Sequence, residues 1–246
     1  MSGDFLVITN FLVSHIFSIP ASTKAIMVTV RIWDLPTRLF HWALACAVVG
    51  LGITGLVGGN VMVWHFRFGY AVFTLLVFRL FWGLLGGRWS RWSTLPLGFR
   101  PFTSYLQGRS TPEQLAGHNP LGSLSVLAML FFLSLQVATG LVSDDEISNS
   151  GPFSSLVSST LVTWATSWHK HWGKLTLIFL VSIHLSAIAW YHWRQHQLLL
   201  PAMWHGYKNL EVPVDASRDD LPSRVMAALI FTLSVAVVFY LVSLGA

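Results

Sequence analysis

Residues 39–57 read LFHWALACAVVGLGITGLV, and this stretch decides the class of the fold. It contains no Asp, Glu, Lys or Arg. A helix of this length rises about 1.5 Å per residue and reaches roughly 28 Å, which matches the hydrocarbon core of a bilayer. The stretch therefore predicts a membrane-spanning helix with one histidine, His41, inside it.

Four other apolar stretches have similar lengths. With the first they predict five transmembrane helices, at Leu39–Val57, Phe68–Leu85, Pro120–Val142, Leu175–Tyr191 and Val225–Leu244. The composition agrees, because 54% of the residues are apolar and only 10% are charged, against about 25% charged residues in soluble domains. A water-soluble globule is therefore excluded. The expected fold is an all-α membrane protein, a transmembrane helix bundle with five spans.

The Lys and Arg residues are distributed unevenly between the two sides of the predicted bundle. One side carries eleven of the 15, namely Lys24, Arg31, Arg38, Arg88, Arg91, Arg100, Arg109, Arg194, Lys208, Arg218 and Arg224. The other side carries Arg67, Lys170 and Lys174 and the acidic run Asp144–Glu146. By the positive-inside rule the N-terminus is cytoplasmic and the C-terminus is outside. The net charge of +5 thus indicates topology, and the chain has no nucleic-acid-binding motif.

Histidines occur at two matched depths of the spans. His41 and His184 lie toward the cytoplasmic side of the first and fourth spans, while His65 precedes the second span and His169 and His171 start the fourth, on the outer side. A polar ring in lipid needs a partner. Two facing imidazoles at each of two levels are what bis-histidine ligation of two haem b groups requires. We therefore expect two haems inside the first four helices.

Helical phase distinguishes the two candidates at the start of the fourth span. His169 precedes His184 by 15 residues, which places it about 60° around a regular helix, whereas His171 is about 140° away. The phase favours His169 as the outer ligand. His171 stays the alternative, because a late helix start or a π-bulge would change the phase.

Two arginines are candidates for binding a haem propionate. Arg79 follows His65 by 14 residues on much the same face of the second span, and a buried guanidinium needs an anion. The alternative partner of Arg79 is a backbone carbonyl at the helix end. Arg38 lies one turn before His41 and is the second candidate, or a topology charge. A zinc site is disfavoured because zinc needs three ligands that converge on one point.

The chain divides into three parts on this basis. Residues 1–26 are an N-terminal extension of undecided role, since Met27 is an alternative start. Residues 27–210 form the expected di-haem four-helix bundle. Residues 211–246 comprise the polar loop Glu211–Ser223 and the fifth span.

Four short motifs accompany the spans: WDLPTRLFHW at 33–42, FRLFWG at 78–83, GHNPLG at 117–122 and MWHGYK at 203–208. In this combination, from about residue 28 to 208, the sequence resembles the bacterial cytochrome b561 family. Within it the resemblance is to the b-type cytochrome subunits of Ni/Fe-hydrogenases and related formate dehydrogenases.

The resemblance implies that His41 and His184 ligate a cytoplasmic-side haem and that His65 and the first histidine of the fourth span ligate an outer haem. Family members usually place that first histidine one residue closer to its partner, a position that is Lys170 here. A glycine four residues after the histidine matches His169. The fifth span is found in the hydrogenase-type branch, and the branch that oxidises superoxide lacks it.

The implied function is electron transfer across the bacterial inner membrane, with the chain as a quinone-linked subunit of an oxidoreductase. A periplasmic cytochrome c or a hydrogenase-type partner would dock near His65 and Asp144–Glu146, and quinone would exchange electrons at the inner haem. His118 and His205 are candidates for proton exchange with quinone. Two alternatives are a stand-alone haem oxidoreductase acting on superoxide or a small oxidant, and a haem-free membrane transporter.

Overall fold

The structure is a computed structural model that describes residues 27–145 and 148–245. The N-terminal extension with Lys24, and Glu146 of the acidic run, lie outside the described residues. In chain order the elements are β1 (Val28–Arg31), α1 (Leu35–Val57), α2 (Met62–Leu85), α3 (Phe99–Leu106), α4 (Pro112–Ala116), α5 (Pro120–Val142), α6 (Ser159–Ser167), α7 (Lys174–Arg194), α8 (Leu199–His205), β2 (Tyr207–Leu210) and α9 (Leu221–Ser243).

Five helical segments are long and apolar enough to cross a membrane, which confirms the number of predicted spans. The fourth is the longest, since α6, a π turn at Trp168–Gly173 and α7 together form a segment of 36 residues, Ser159–Arg194. It begins well before the predicted Leu175, because Ser158 caps α6 and the polar residues that follow interrupt the apolar run without breaking the helix. The predicted start of this span was therefore too late.

Three spans begin with the same kind of helix N-cap. Asp34, Asn119 and Asp220 each accept a hydrogen bond from the backbone N–H three residues later, and a proline occupies the first or second helical position. The side-chain acceptor satisfies an orphan N–H, and proline is tolerated where no intrahelical donor is needed. These caps fix where α1, α5 and α9 start. We call this end of the bundle the basic end and the opposite end the far end.

The bundle is built around α2. Helices α1, α5 and α9 pack against α2, and α7 packs against α5. Toward the basic end Phe40, Phe78 and Trp82 form a buried cluster with Ala227 of α9. A second cluster at mid-depth joins α1, α2 and α5 and includes Val72. The fifth span therefore covers the α1–α2 pair and leaves α7 facing the other side of the bundle.

A small antiparallel sheet at the basic end links distant parts of the chain. β1 pairs with β2 from Val28 opposite Leu210 to Arg31 opposite Tyr207. Beside it the Gly206 carbonyl accepts from the N–H groups of Ile32 and Trp33. Because β1 leads into α1 and β2 follows α8, the sheet holds the start of α1 close to the chain that leaves α7. Hydrophobic periodicity of the spans did not predict this sheet.

Candidate haem sites

Two histidine rings lie close together near the far end of the bundle. The centroids of the His65 ring on α2 and the His169 ring in the π turn are 6.1 Å apart, with their planes at 87°. Metal–imidazole bonds of about 2 Å, with about 1 Å from each nitrogen to its ring centre, place two axial imidazoles about 6 Å apart. The spacing of this pair fits one iron ligated from both sides.

The second nitrogen of each ring is bound to the backbone of a neighbouring helix. Nδ1 of His65 lies 3.2 Å from the Leu51 carbonyl of α1, and Nδ1 of His169 lies 2.9 Å from the Gln136 carbonyl of α5. A carbonyl only accepts, so each Nδ1 is the protonated nitrogen and each Nε2 keeps its lone pair. This is the tautomer of a metal-binding histidine, whose other nitrogen usually donates to a backbone carbonyl.

The alternative ligand, His171, points elsewhere. It is exposed, and its Nδ1 lies 3.1 Å from the Ser167 carbonyl of its own helix. Lys170, the position indicated by the family spacing, is also exposed. Of these three residues the structure brings His169 to His65.

Two glycines make room for these rings. A Cβ at Gly55 of α1 would lie 3.1 Å from His65 Cε1, and one at Gly140 of α5 would lie 2.7 Å from His169 Cε1. The rings therefore rest directly on the backbones of α1 and α5. Gly52 is different, because a Cβ there meets nothing within 4 Å.

We expect Gly140→Ala to displace the His169 ring and to lower haem content at the far end, because the added methyl would overlap the ring. Gly52→Ala is the matched control and should keep full haem content. The measurement is the haem-to-protein ratio of each purified variant. Equal ratios in the two variants would show that the ring does not depend on the close approach.

The second pair lies nearer the basic end. His41 on α1 and His184 on α7 are both half-buried. Within the described residues, His41 Nδ1 and Arg38 Nε are buried polar atoms without a hydrogen-bond partner. Buried polar atoms are rarely left unpaired. These orphan groups would fit a bound prosthetic group that carries a metal for His41 and an acidic substituent for Arg38.

The two arginines differ in their partners. Arg79 is buried, donates from Nη1 to the Ser90 carbonyl at 3.0 Å and lies 4.0 Å from the centre of the Trp92 ring. The partner of Arg79 is thus a backbone carbonyl in the turn that follows α2. Arg38 donates from Nη1 to the Trp204 carbonyl at 2.6 Å and keeps the unpaired Nε. Arg38 is therefore the better placed of the two to bind a propionate.

Asp34 of the first motif is a residue that the sequence did not single out. Its carboxylate is fully buried and, besides capping α1, accepts from Trp82 Nε1 at 3.3 Å, Gly87 N at 3.2 Å and Ser90 Oγ at 2.6 Å. It thus ties the start of α1, where Arg38 and His41 lie, to the end of α2. The available signal was an acidic residue two positions before a proline, just ahead of a predicted span, which is typical of a helix N-cap.

We expect Asp34→Ala to lower the free energy of unfolding by about 3 kcal/mol or more, because several buried donors lose their acceptor and α1 loses its cap. Thermal unfolding in detergent, followed by circular dichroism, measures the loss. Asp215→Ala is the control, since Asp215 makes an exposed ion pair with Arg88 and should change stability little. A melting temperature as high as that of the control would contradict this role.

The proposed proton-exchange histidines are placed differently from each other. His118 packs edge-on against Trp33 at 4.8 Å, and burial together with the nearby charges of Arg79 and Lys208 lowers its pKa to about 3. Its ring is therefore uncharged at neutral pH and a weak base. His205 is exposed, and its Nδ1 accepts from the Tyr207 N–H. Of the two, only His205 is at the surface.

Within residues 27–145 and 148–245, no three His, Cys, Asp or Glu side chains come together as a group that could hold a metal ion. The candidate ligands that the structure does bring together are the pair His65 and His169.

One family of known proteins matches most of the chain. The sequence profile of the family described as prokaryotic cytochrome b561 matches residues 32–206. The matched range contains both histidine pairs and ends at the turn before β2.

Individual relatives are distant but match over most of their length. The probable Ni/Fe-hydrogenase B-type cytochrome subunit of Azotobacter chroococcum is 25% identical over 218 residues, which cover 73% of this chain and 88% of the relative. The protein of the same name from Cupriavidus necator is 24% identical over 227 residues, which cover 78% and 91%. That from Rhodobacter capsulatus is 20% identical over 220 residues, which cover 74% and 82%.

Proposed function

Because the chain belongs to the prokaryotic cytochrome b561 family, we propose that it is a di-haem membrane cytochrome that carries electrons between a redox partner outside the cell membrane and the membrane quinone pool. In this role it is the quinone-linked subunit of an oxidoreductase. Residues 27–210 form the haem-binding bundle, and residues 211–246 add the loop and the fifth span.

The observation that carries the proposal is the opposed pair His65 and His169, with centroids 6.1 Å apart and each Nδ1 at a backbone carbonyl. These residues would hold the outer haem, and His41 and His184 would hold the inner one. When bound, each haem supplies an iron centre that takes up and releases one electron. Arg38 would neutralise a propionate of the inner haem.

The rest of the bundle insulates the path between the two levels. Along the fourth span, 15 residues separate His169 from His184, a rise of roughly 22 Å. Val72 and Leu133 are buried between the levels, with Leu177 of α7 packed against them. These apolar side chains exclude water and ions, so only electrons have a path between the two ends.

The charge distribution supports an orientation with the basic end in the cytoplasm and the far end, with His65 and His169, at the periplasmic side of the inner membrane. The C-terminus after α9 then lies outside. The names of the relatives favour a hydrogenase-type partner at the far end over a soluble cytochrome c. Quinone would exchange electrons at the basic end, near His41 and His184.

The test uses the purified chain reduced with dithionite and freed of excess reductant. A short-chain quinone should then reoxidise both haems, as followed by the α-band absorbance. In the matched assay for the rival function, enzymatically generated superoxide is added to the oxidised protein, where it would pass its electron to ferric haem and leave as dioxygen. Reduction of the haems by superoxide, with no reoxidation of the reduced protein by quinone, would contradict the proposal.

A further inference from the structure

The π turn changes the phase of the fourth span at the point where His169 lies. A π turn closes its hydrogen bond from residue i to i+5 and so takes one residue more than an α-helical turn. The turn occupies Trp168–Gly173. With that residue absorbed, the 15 residues to His184 act as about 14 regular steps, which leaves the two rings about 40° apart on the same face. The π turn therefore brings His169 closer to the face of His184 than a regular helix would.

Gln136 of α5 contacts His169 at two points. Its side-chain Nε2 donates to the His169 backbone carbonyl at 2.9 Å, and its backbone carbonyl accepts from His169 Nδ1 at 2.9 Å. A π turn disturbs the regular ladder of backbone hydrogen bonds, so a side-chain donor to a carbonyl within it stabilises the turn. The Gln136 amide supplies that donor, and the Gln136 backbone carbonyl holds the His169 ring.

Gly173 makes room for the Gln136 amide. A Cβ at Gly173 would overlap Gln136 Oε1 and would lie 2.8 Å from Trp168 Nε1. Both of these atoms are buried, and neither has a hydrogen-bond partner within the described residues. Leaving a buried acceptor and donor unbonded costs free energy. The bond from Gln136 Nε2 to the His169 carbonyl therefore sets the orientation of the amide, although this orientation leaves Gln136 Oε1 without a donor.

We propose that Gln136 is a positioning residue for the outer haem, which holds the π turn so that His169 Nε2 is presented to iron opposite His65. This inference rests on the proposed function. It assigns a role to a polar side chain in the third span, a stretch that carries no ionisable group. An amide in a membrane helix needs a hydrogen-bond partner, and the partner of Gln136 Nε2 is the carbonyl of the candidate ligand His169.

The test is Gln136→Met, which keeps the length of the side chain and removes the amide. We expect the loss of one of the two haems, while the remaining haem keeps the midpoint potential and electron paramagnetic resonance (EPR) signal it has in the wild type. Gly173→Ala displaces the same amide from the opposite side and should give the same loss. Ser134→Ala is the control on α5, because its hydroxyl bonds only to the Leu130 carbonyl of its own helix at 2.7 Å.

Three results would overturn the inference. Gln136→Met with two haems and an unchanged EPR spectrum shows that the amide does not position His169. Loss of both haems in Gln136→Met shows a role in the whole bundle. If Gln136→Met does not accumulate, Gly173→Ala decides, and full haem content in that variant overturns the inference. Wild-type protein without two haems would instead contradict the proposed function.

Discussion

Purified His169→Ala is expected to contain about half the haem of the wild type, whereas His171→Ala keeps the full amount. The reason is geometric. His169 faces His65 at 6.1 Å between ring centroids, and its Nδ1 is held by the Gln136 carbonyl. His171 is exposed and bonded to its own helix. The pyridine haemochrome assay on each variant, normalised to protein, measures the difference.

Each of the two variants is the control for the other, because the two histidines lie two positions apart in the same π turn. His169→Ala should also abolish the EPR signal of the outer haem. Its near-perpendicular imidazole planes, at 87°, should give a strongly anisotropic low-spin ferric signal. Haem loss in His171→Ala with full retention in His169→Ala would reverse the assignment.

His184→Ala is expected to remove the inner haem and to abolish electron exchange with quinone. In the proposed site His184 of α7 would supply one nitrogen to the inner haem, and His41 of α1 would supply the other. A haem with one protein ligand is held much more weakly than one clamped between two helices. The outer haem should remain and should still be reduced by dithionite. Quinone-dependent reoxidation, followed by absorbance, is the second readout.

His192→Ala is the matched control for this variant. His192 lies two turns further along α7 and is exposed, so it should keep both haems and the wild-type rate of reoxidation by quinone. Undiminished reoxidation by quinone in His184→Ala would show that quinone reacts at the far end. The orientation of electron flow in this account would then be wrong.

Hydrophobicity alone located the spans well where no polar residue intervenes. The third span was predicted as Pro120–Val142, and α5 has the same bounds. The fourth span was predicted too short, because the histidines and other polar residues that would serve the outer site lie within it. His65 was expected ahead of the second span and lies in the first turn of α2 for the same reason. A search for uninterrupted apolar stretches leaves out the polar residues that serve function in a membrane helix.

Contacts between distant residues could not be read from periodicity. The side-chain partner of Gln136 depends on a π turn that no residue pattern specifies. The position that the resemblance indicated is Lys170, and the extra residue absorbed by the turn explains why His169 occupies the inward face instead. Likewise the carbonyl of Ser90 that binds Arg79 belongs to a loop whose path the sequence does not give. That His41 and His184 lie at similar depths could be predicted, since depth in a bundle follows from residue count.

The most direct test of the account is the haem content and EPR spectrum of the wild-type chain, purified from cells supplied with ample haem precursor. The account predicts two low-spin haems for each polypeptide, one of them with the strongly anisotropic signal of perpendicular imidazoles. A colourless protein, or one that binds a single haem, would contradict it.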